Sequence, residues 1–243
     1  MGQLDNKVTI ITGAGTGIGK GIARAFAGEG AILVLASRNA QNLADTAAET
    51  RALGAQTLVV PTDVTDEAQV AALFAQTMGE YGRVDILINN AGAFDGGPLE
   101  ELSLATWMHV LNVNLTGPFL CSRAAMKIMK EQGGGRIINI GSISAQMPRM
   151  NSVPYSTTKH ALVGLTKAAA LEGRDFGVVV SCLHPGNVLT ERRAGAASTA
   201  DQEPMMSVDE LAMTVLTMAA LPLHVNLLEA IVLPTTQKYL GRG

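Results

Sequence analysis

Charge is scarce in this 243-residue chain: Asp, Glu, Lys and Arg make up 16% of it and the formal net charge is −3. A typical globular domain carries about 25% charged residues. No basic excess is available to track a phosphate backbone, which argues against a nucleic-acid partner. Cysteine is nearly missing as well. Cys121 and Cys182 stand far apart, with no CxxC and no Cys/His cluster. No metal site is read, and both thiols read as small buried hydrophobes. A chain of this length needs no disulfide, which fits a reducing, cytoplasmic compartment. Met1-Gly2-Gln3-Leu4-Asp5-Asn6 lacks a basic start followed by an apolar run, so no signal peptide is read. Asn6 also stands where a myristoylation signal wants Ser or Thr. A membrane span needs about 20 mainly apolar residues. The uncharged stretch Leu211 to Leu228 is broken by Pro222, His224 and Asn226. It is read as a buried helix, a turn and the approach to a strand.

Apolar residues, at 47%, are what the chain has in quantity. They fall into short runs: Val8 to Thr12, Ile32 to Ala36, Leu58 to Val60, Val84 to Ile88, Ile137 to Ile140, Val178 to Leu183 and Ile231 to Leu233. Longer segments of helical period lie between: Ile18 to Gly28, Ala40 to Leu53, Glu67 to Tyr81, Leu104 to Glu131, Pro154 to Phe176 and Val208 to Leu221. Strands alternating with helices predict an α/β fold, a doubly wound parallel sheet of about seven strands with helices on both faces. Runs such as Val178-Val179-Val180 show no polar alternation, as expected of strands covered on both faces. Asp66 and Ser103 are read as helix caps and Pro154 as a first-turn residue. No repeat or linker breaks residues 1–243, which are expected to form one domain. A segment rich in Ala, Ser and Thr, about 189–206, is read as its substrate lid.

Directly after the first run stands Thr12-Gly13-Ala14-Gly15-Thr16-Gly17-Ile18-Gly19. Glycines between a strand and a helix let the backbone approach a pyrophosphate, and the helix offers free N–H groups and its positive dipole end. The spacing is TGxxxGxG rather than GxGxxG. An acid that reads ribose hydroxyls belongs at the end of the second strand. That place holds Ser37 and Arg38, and nothing acidic occurs between Gly30 and Asp45. A guanidinium holds a 2′-phosphate through charge-assisted bonds, with a Ser37 hydroxyl contact beside it. NADP(H) is therefore expected over NAD(H).

Tyr155 and Lys159 are four apart on an expected helix and so share one face. An ammonium close to a phenol favours the phenolate. Thirteen residues before Tyr155 stands Ser142, after the fifth run, with Ser144 as its local competitor.

The glycine turn, Asn89-Asn90-Ala91-Gly92 after the fourth run, Asn114, Ser142, Tyr155, Lys159 and Pro185-Gly186, in that order, resemble the short-chain dehydrogenase/reductase family over roughly residues 5 to 190. The resemblance implies a Rossmann fold, a single dinucleotide-binding catalytic domain over residues 1–243, and the following roles. Gly13, Gly15, Thr16, Gly17, Ile18 and Gly19 cradle the dinucleotide, and Ser37 and Arg38 read its 2′-phosphate. Asp63, with Val64, borders the adenine. Asn90, Ala91 and Gly92 line the cleft, with Asn89 supporting the sheet. Pro185, Gly186 and Val188 flank the nicotinamide, and Thr190 anchors its carboxamide. Hydride passes between the nicotinamide and a carbonyl carbon. Ser142 orients the carbonyl and Tyr155 supplies the proton. Lys159 tunes Tyr155 and binds ribose, and Asn114 holds a relay water. Asn114, followed by Leu115-Thr116-Gly117, is preferred to Asn112.

The expected activity is reduction of a ketone or aldehyde. Alcohol oxidation, 3-oxoacyl thioester reduction and a non-catalytic NADP-binding sensor or scaffold stand as rivals. Substrate walls are expected from Ala93 to Pro98, Ala145 to Val153 and Leu189 to Met206. Phe94, Met147, Met150, Met205 and Met206 there suggest a hydrophobic carbonyl compound. Arg149, Arg192 and Arg193 suggest an anionic one instead. His184 is read as a packed strand-end residue. Residues Glu229 to Gln237 depart from the family, whose last strand often leads into Asp-Gly-Gly. A homo-oligomer is expected, tetramer or dimer, through the helices beginning near Leu104 and Pro154.

Overall fold

The computed structural model describes residues 2–191 and 203–239. Arg192, Arg193 and most of the expected lid lie outside the described residues.

Seven strands form one parallel sheet: β1 (Val8–Thr12), β2 (Ile32–Ser37), β3 (Thr57–Pro61), β4 (Ile86–Asn89), β5 (Gly135–Ile140), β6 (Val178–Pro185) and β9 (Glu229–Val232). Their order is β3-β2-β1-β4-β5-β6-β9. Every pairing is parallel. Helices α1 (Gly17–Gly28), α2 (Ala40–Ala52), α3 (Glu67–Tyr81), α4 (Leu104–Leu111), α5 (Gly117–Glu131), α6 (Val153–Gly173) and α7 (Val208–Ala220) join them. A two-residue ladder, β7 (Val188–Leu189) with β8 (Met206–Ser207), stands apart from the main sheet. It joins the two described ends of the expected lid, and no pattern in the sequence announced it.

Alternation along each strand sends side chains into two cores. From β1, Ile11 joins Ile22 and Phe26 of α1 and Leu211 and Val215 of α7. Its neighbour Ile10 joins Leu73 and Phe74 of α3 and Leu120 and Met129 of α5. β1, β4, β5 and β6 are buried along their full length, which accounts for their lack of polar alternation, and polar residues they carry, among them Thr9, Asn89, Arg136, Asn139, Ser181 and His184, are buried with them. Asp66 accepts from the N–H groups of Ala68 and Gln69, and Ser103 accepts from that of Thr106. Both are the caps expected, each worth about 0.5–2 kcal/mol.

One expected helix is interrupted. Between Leu104 and Glu131 the chain widens into a π turn at Asn112–Thr116. There the Gly117 N–H reaches back to the Asn112 carbonyl, and Pro118, which has no N–H, leaves the Asn114 carbonyl without an α-helical donor. Among the described residues no helix is long and apolar enough to cross a membrane.

Candidate active site

The strand order reverses between β1 and β4. Open parallel sheets bind ligands in the crevice at that point, beyond the carboxyl ends of the strands. A cleft of about 930 Å³ opens there. At its floor the glycine turn leaves β1 through Gly13, whose φ of +64° suits glycine. A Cβ on Gly19 would lie 2.3 Å from the Gly13 carbonyl oxygen and 2.5 Å from Asn90 Nδ2. Asn90 Nδ2 donates to the carbonyls of Thr12 (2.9 Å) and Gly13 (3.2 Å), tying the turn to the end of β4. Thr12 Oγ1 accepts from the N–H groups of Asn90 and Ala91. Below them Asn89 Nδ2 donates to Asn139 Oδ1 and Ser122 Oγ.

The donor set suits a phosphate. Side chains cap α2, α3, α4 and α7, through Asn39, Asp66, Ser103 and Ser207. Thr16 makes no such bond at the start of α1. There Glu191 Oε2 accepts from the Gly17 N–H at 2.9 Å. Sequence reasoning missed Glu191: no motif spacing places a carboxylate at an anion seat. A phosphate docking at this N-terminus must compete with it.

Around the cleft stand Gly13, Gly15, Thr16, Gly17, Ile18, Ser37, Arg38, Asp63, Val64, Asn90, Ala91, Gly92, Pro185, Gly186, Val188 and Thr190, all expected there. Gly19 lies beneath the turn rather than on the wall. Arg38 is exposed, and among the described residues no carboxylate pairs with it. Asp63 Oδ1 accepts from both the N–H and the hydroxyl of Thr65, which orients the loop after β3.

Ser142, Tyr155 and Lys159 meet at the other end. Ser142 follows β5, and its Oγ accepts from the Ser144 N–H at 3.1 Å. Lys159 is 6% exposed, and its Nζ donates to the Ile140 carbonyl at 2.8 Å. That Nζ lies 5.5 Å from the centre of the Tyr155 ring. Phe94 meets the same ring edge-on, with centroids 4.9 Å apart. Asn114 stands behind the wall. Its Oδ1 accepts from the Ala93 N–H at 2.7 Å, and its Nδ2 donates to the Ala93 carbonyl at 2.8 Å. The side chain thereby fixes the segment that carries Phe94. Ser144, the alternative to Ser142, is buried and off the cleft.

The expected substrate walls are corrected in part. Phe94 lines the cleft, but Met206 is packed into the core beside Leu211, because β8 turns it inward. Met150 points to solvent. Arg149 is engaged: its Nη2 donates to Asn187 Oδ1 (3.0 Å) and Glu203 Oε2 (2.9 Å). Both cysteines are buried, and burial pushes their thiols up, Cys121 to about 12 and Cys182 to about 11.

A family model for short chain dehydrogenases matches residues 7–201. The chain belongs to the short-chain dehydrogenase family. It is 40% identical over 185 residues to an uncharacterized oxidoreductase, YxjF, of Bacillus subtilis, covering 76% of this chain and 72% of that one. It is also 40% identical over 191 residues to a putative ketoacyl reductase of granaticin synthesis in Streptomyces violaceoruber, covering 78% and 70%. Among solved structures, a variant of actinorhodin polyketide ketoreductase with NADPH superposes at a TM-score of 0.89 and 32% identity, over 96% and 98% of the two chains. This short-chain dehydrogenase is thus an oxidoreductase, and its parallel sheet is the Rossmann sheet of that family.

Proposed function

We propose that this short-chain dehydrogenase is an NADPH-dependent reductase of a ketone or aldehyde, reversible toward alcohol oxidation, with residues 1–243 acting as one catalytic domain. One observation carries the reading: Ser142, Tyr155 and Lys159 border the same cleft as the glycine turn and Arg38. When bound, the dinucleotide supplies the hydride. The glycine turn and the start of α1 would hold its pyrophosphate, Ser37 and Arg38 its 2′-phosphate, and Asp63 and Val64 the adenine side. Pro185, Gly186, Val188 and Thr190 would flank the nicotinamide.

The protein's own part is binding, orientation and one proton. Ser142 Oγ already accepts a bond from Ser144 N–H, so its hydroxyl proton is available to a substrate carbonyl. The Tyr155 hydroxyl then delivers a proton to the developing alkoxide, with Phe94 holding the ring. Lys159 spends one of its three N–H bonds on Ile140 and keeps the others for the ribose and the tyrosine. Asn114 holds Ala93 and, by resemblance, the relay water.

A second reading, reduction of a 3-oxoacyl thioester, draws support from the granaticin relative named a ketoacyl reductase. Presence of both Tyr155 and Lys159 in the cleft counts against a non-catalytic sensor. Leu104, Met108 and Phe119 lie exposed along α4 and α5, which supports a homo-oligomer. Unpaired buried thiols support a reducing, cytoplasmic setting.

The test is NADPH oxidation with ethyl acetoacetate and with acetoacetyl-CoA by wild type and Tyr155→Phe, with sedimentation of the same samples. General acid–base catalysis contributes about 10²–10⁴-fold, so turnover falls by that much while NADPH still binds. Near-normal turnover of the variant overturns the acid–base assignment, and a monomer at micromolar concentration overturns the oligomer.

A further inference from the structure

His184 lies at the end of β6 with no exposed surface. It does not line the cleft, yet its ring touches the residue proposed to orient the substrate. Its Nδ1 is 2.9 Å from the Ser142 carbonyl oxygen and 3.3 Å from the Ser142 backbone nitrogen. On the far side Nε2 is 3.1 Å from Glu229 Oε1 of β9. That approach lies off the axis of an aligned hydrogen bond, and it becomes an ion pair only when the ring is protonated. The second Glu229 oxygen is 3.3 Å from Lys167 Nζ of α6.

The residue before Ser142 makes room for this ring. A Cβ on Gly141 would come within 2.6 Å of His184 Nδ1 and 2.8 Å of Cε1. Glycine at 141 is therefore the condition for an imidazole to reach the Ser142 peptide. Gly141 N–H donates to the Leu183 carbonyl at 2.7 Å, which locks the same turn onto β6. The Ser142 carbonyl also accepts from the Ala145 N–H, which closes the turn from above.

We propose that His184 is a positioning residue for Ser142, a buried brace from β6 that Glu229 and Lys167 orient, setting the depth at which the serine hydroxyl meets the substrate carbonyl. The inference rests on the proposed role of Ser142. The brace works in either proton state of the ring. A neutral ring facing a carboxylate carries its proton on Nε2, and Nδ1 then accepts from the Ser142 N–H. A protonated ring donates from Nδ1 to the Ser142 carbonyl. The charged or titratable groups around it are Glu229 of β9, Lys167 and Lys159 of α6, and the Cys182 thiol of β6. Burial pushes the imidazole below its ordinary value, against the pull of the Ser142 backbone and Glu229.

The test compares wild type, His184→Ala, His184→Asn, Ser142→Ala and the double variant His184→Ala/Ser142→Ala, with Tyr155→Phe as control. Measured for each are thermal unfolding, NADPH affinity by fluorescence, amide exchange of residues 141–147, and kcat and KM for ethyl acetoacetate or acetoacetyl-CoA. Misplacing a catalytic group by about 1 Å can cost about 10²-fold, so His184→Ala should lower kcat by roughly ten- to hundred-fold, with NADPH affinity held within about twofold and faster exchange confined to 141–147. His184→Asn, whose amide reaches the same peptide, should recover most of the loss. In the Ser142→Ala background the histidine effect should vanish. An equal loss in both backgrounds, or an unchanged kcat in His184→Ala, overturns the inference. If Tyr155→Phe and Ser142→Ala both keep wild-type turnover, the reading of the site falls and the brace with it. If they lose turnover and His184→Ala does not, the brace alone falls. Should His184→Ala fail to fold, Glu229→Gln takes its place. It should lower kcat less, again only where Ser142 is present, and equal turnover with and without the serine overturns the inference.

Discussion

The two ends of the cleft are built by different means. At the dinucleotide end, backbone approach governs. Gly13 and Gly19 are forced by contacts too close for a Cβ, and the bonds of Asn90 run to main-chain carbonyls of the same turn. At the substrate end, side chains reach across long stretches of sequence. Arg149 holds Glu203 and Asn187, Gln237 Oε1 accepts from the Asn187 N–H at 2.9 Å, and the Tyr239 hydroxyl donates to Gln146. The first end tolerates almost no change in residue type, because a backbone clash has no rotamer to relieve it. The second is held by side-chain partners drawn from distant segments. The segment after β9 has no glycine-rich end. It returns a glutamine to the Pro185-Gly186-Asn187 turn instead.

Three substitutions probe that contrast, in falling order of effect. Gly19→Ala drives a methyl into the Gly13 carbonyl and Asn90. Overpacking of this kind costs about 1–3 kcal/mol. Dinucleotide affinity should collapse for NADPH and NADH alike in a fluorescence titration, and retained affinity for either would break the claim that backbone approach rules this end. Arg38→Ala should leave NADH binding intact. A bond to a charged group is worth about 1.5–3 kcal/mol. The ratio of kcat/KM for NADPH over NADH should therefore drop by roughly ten- to hundred-fold. A wild-type ratio, or a wild type that prefers NADH, removes the guanidinium from nucleotide choice.

Gln237→Ala is the mildest. It strips the buried Asn187 N–H of its acceptor, at about 1–3 kcal/mol. In a chain of this size each kcal/mol moves the melting midpoint by about 2–4 °C. The midpoint should fall by several degrees and KM should rise a few-fold, with NADPH affinity little changed. An unaltered midpoint and KM would mean that the C-terminal segment merely lies against the site.

Legibility followed the same division. Helix caps at Asp66 and Ser103, the seven strands and the glycine turn could be read because each obeys a local rule of sterics, period or spacing, whereas Asp63, Val64, Asn90 to Gly92 and Pro185 to Thr190 were expected from the family resemblance. The π turn at Asn112–Thr116 could not: beside the local signal of a proline six residues after Asn112, its Asn114 is bonded to Ala93 across 21 positions. Glu191 at the anion seat and Met206 in the core depend on how β7 meets β8, a pairing of two residues too short to leave a pattern. His184 was legible as a packed strand-end residue. That it packs against Ser142 was not, since 42 residues separate them.

From the order of residues alone came the parallel sheet, the glycine turn and the shared face of Tyr155 and Lys159, because hydrophobic period, helix pitch and the size of a missing Cβ act within a few positions; Ser142 joined them through the family resemblance. Tertiary structure decided which charges are spent, with Arg149 engaged and Arg38 without a carboxylate partner among the described residues, and which buried ring lies under the serine. Those outcomes depend on distances across β6, β9 and the loops, where electrostatic and hydrogen-bonding partners meet only after the sheet has closed.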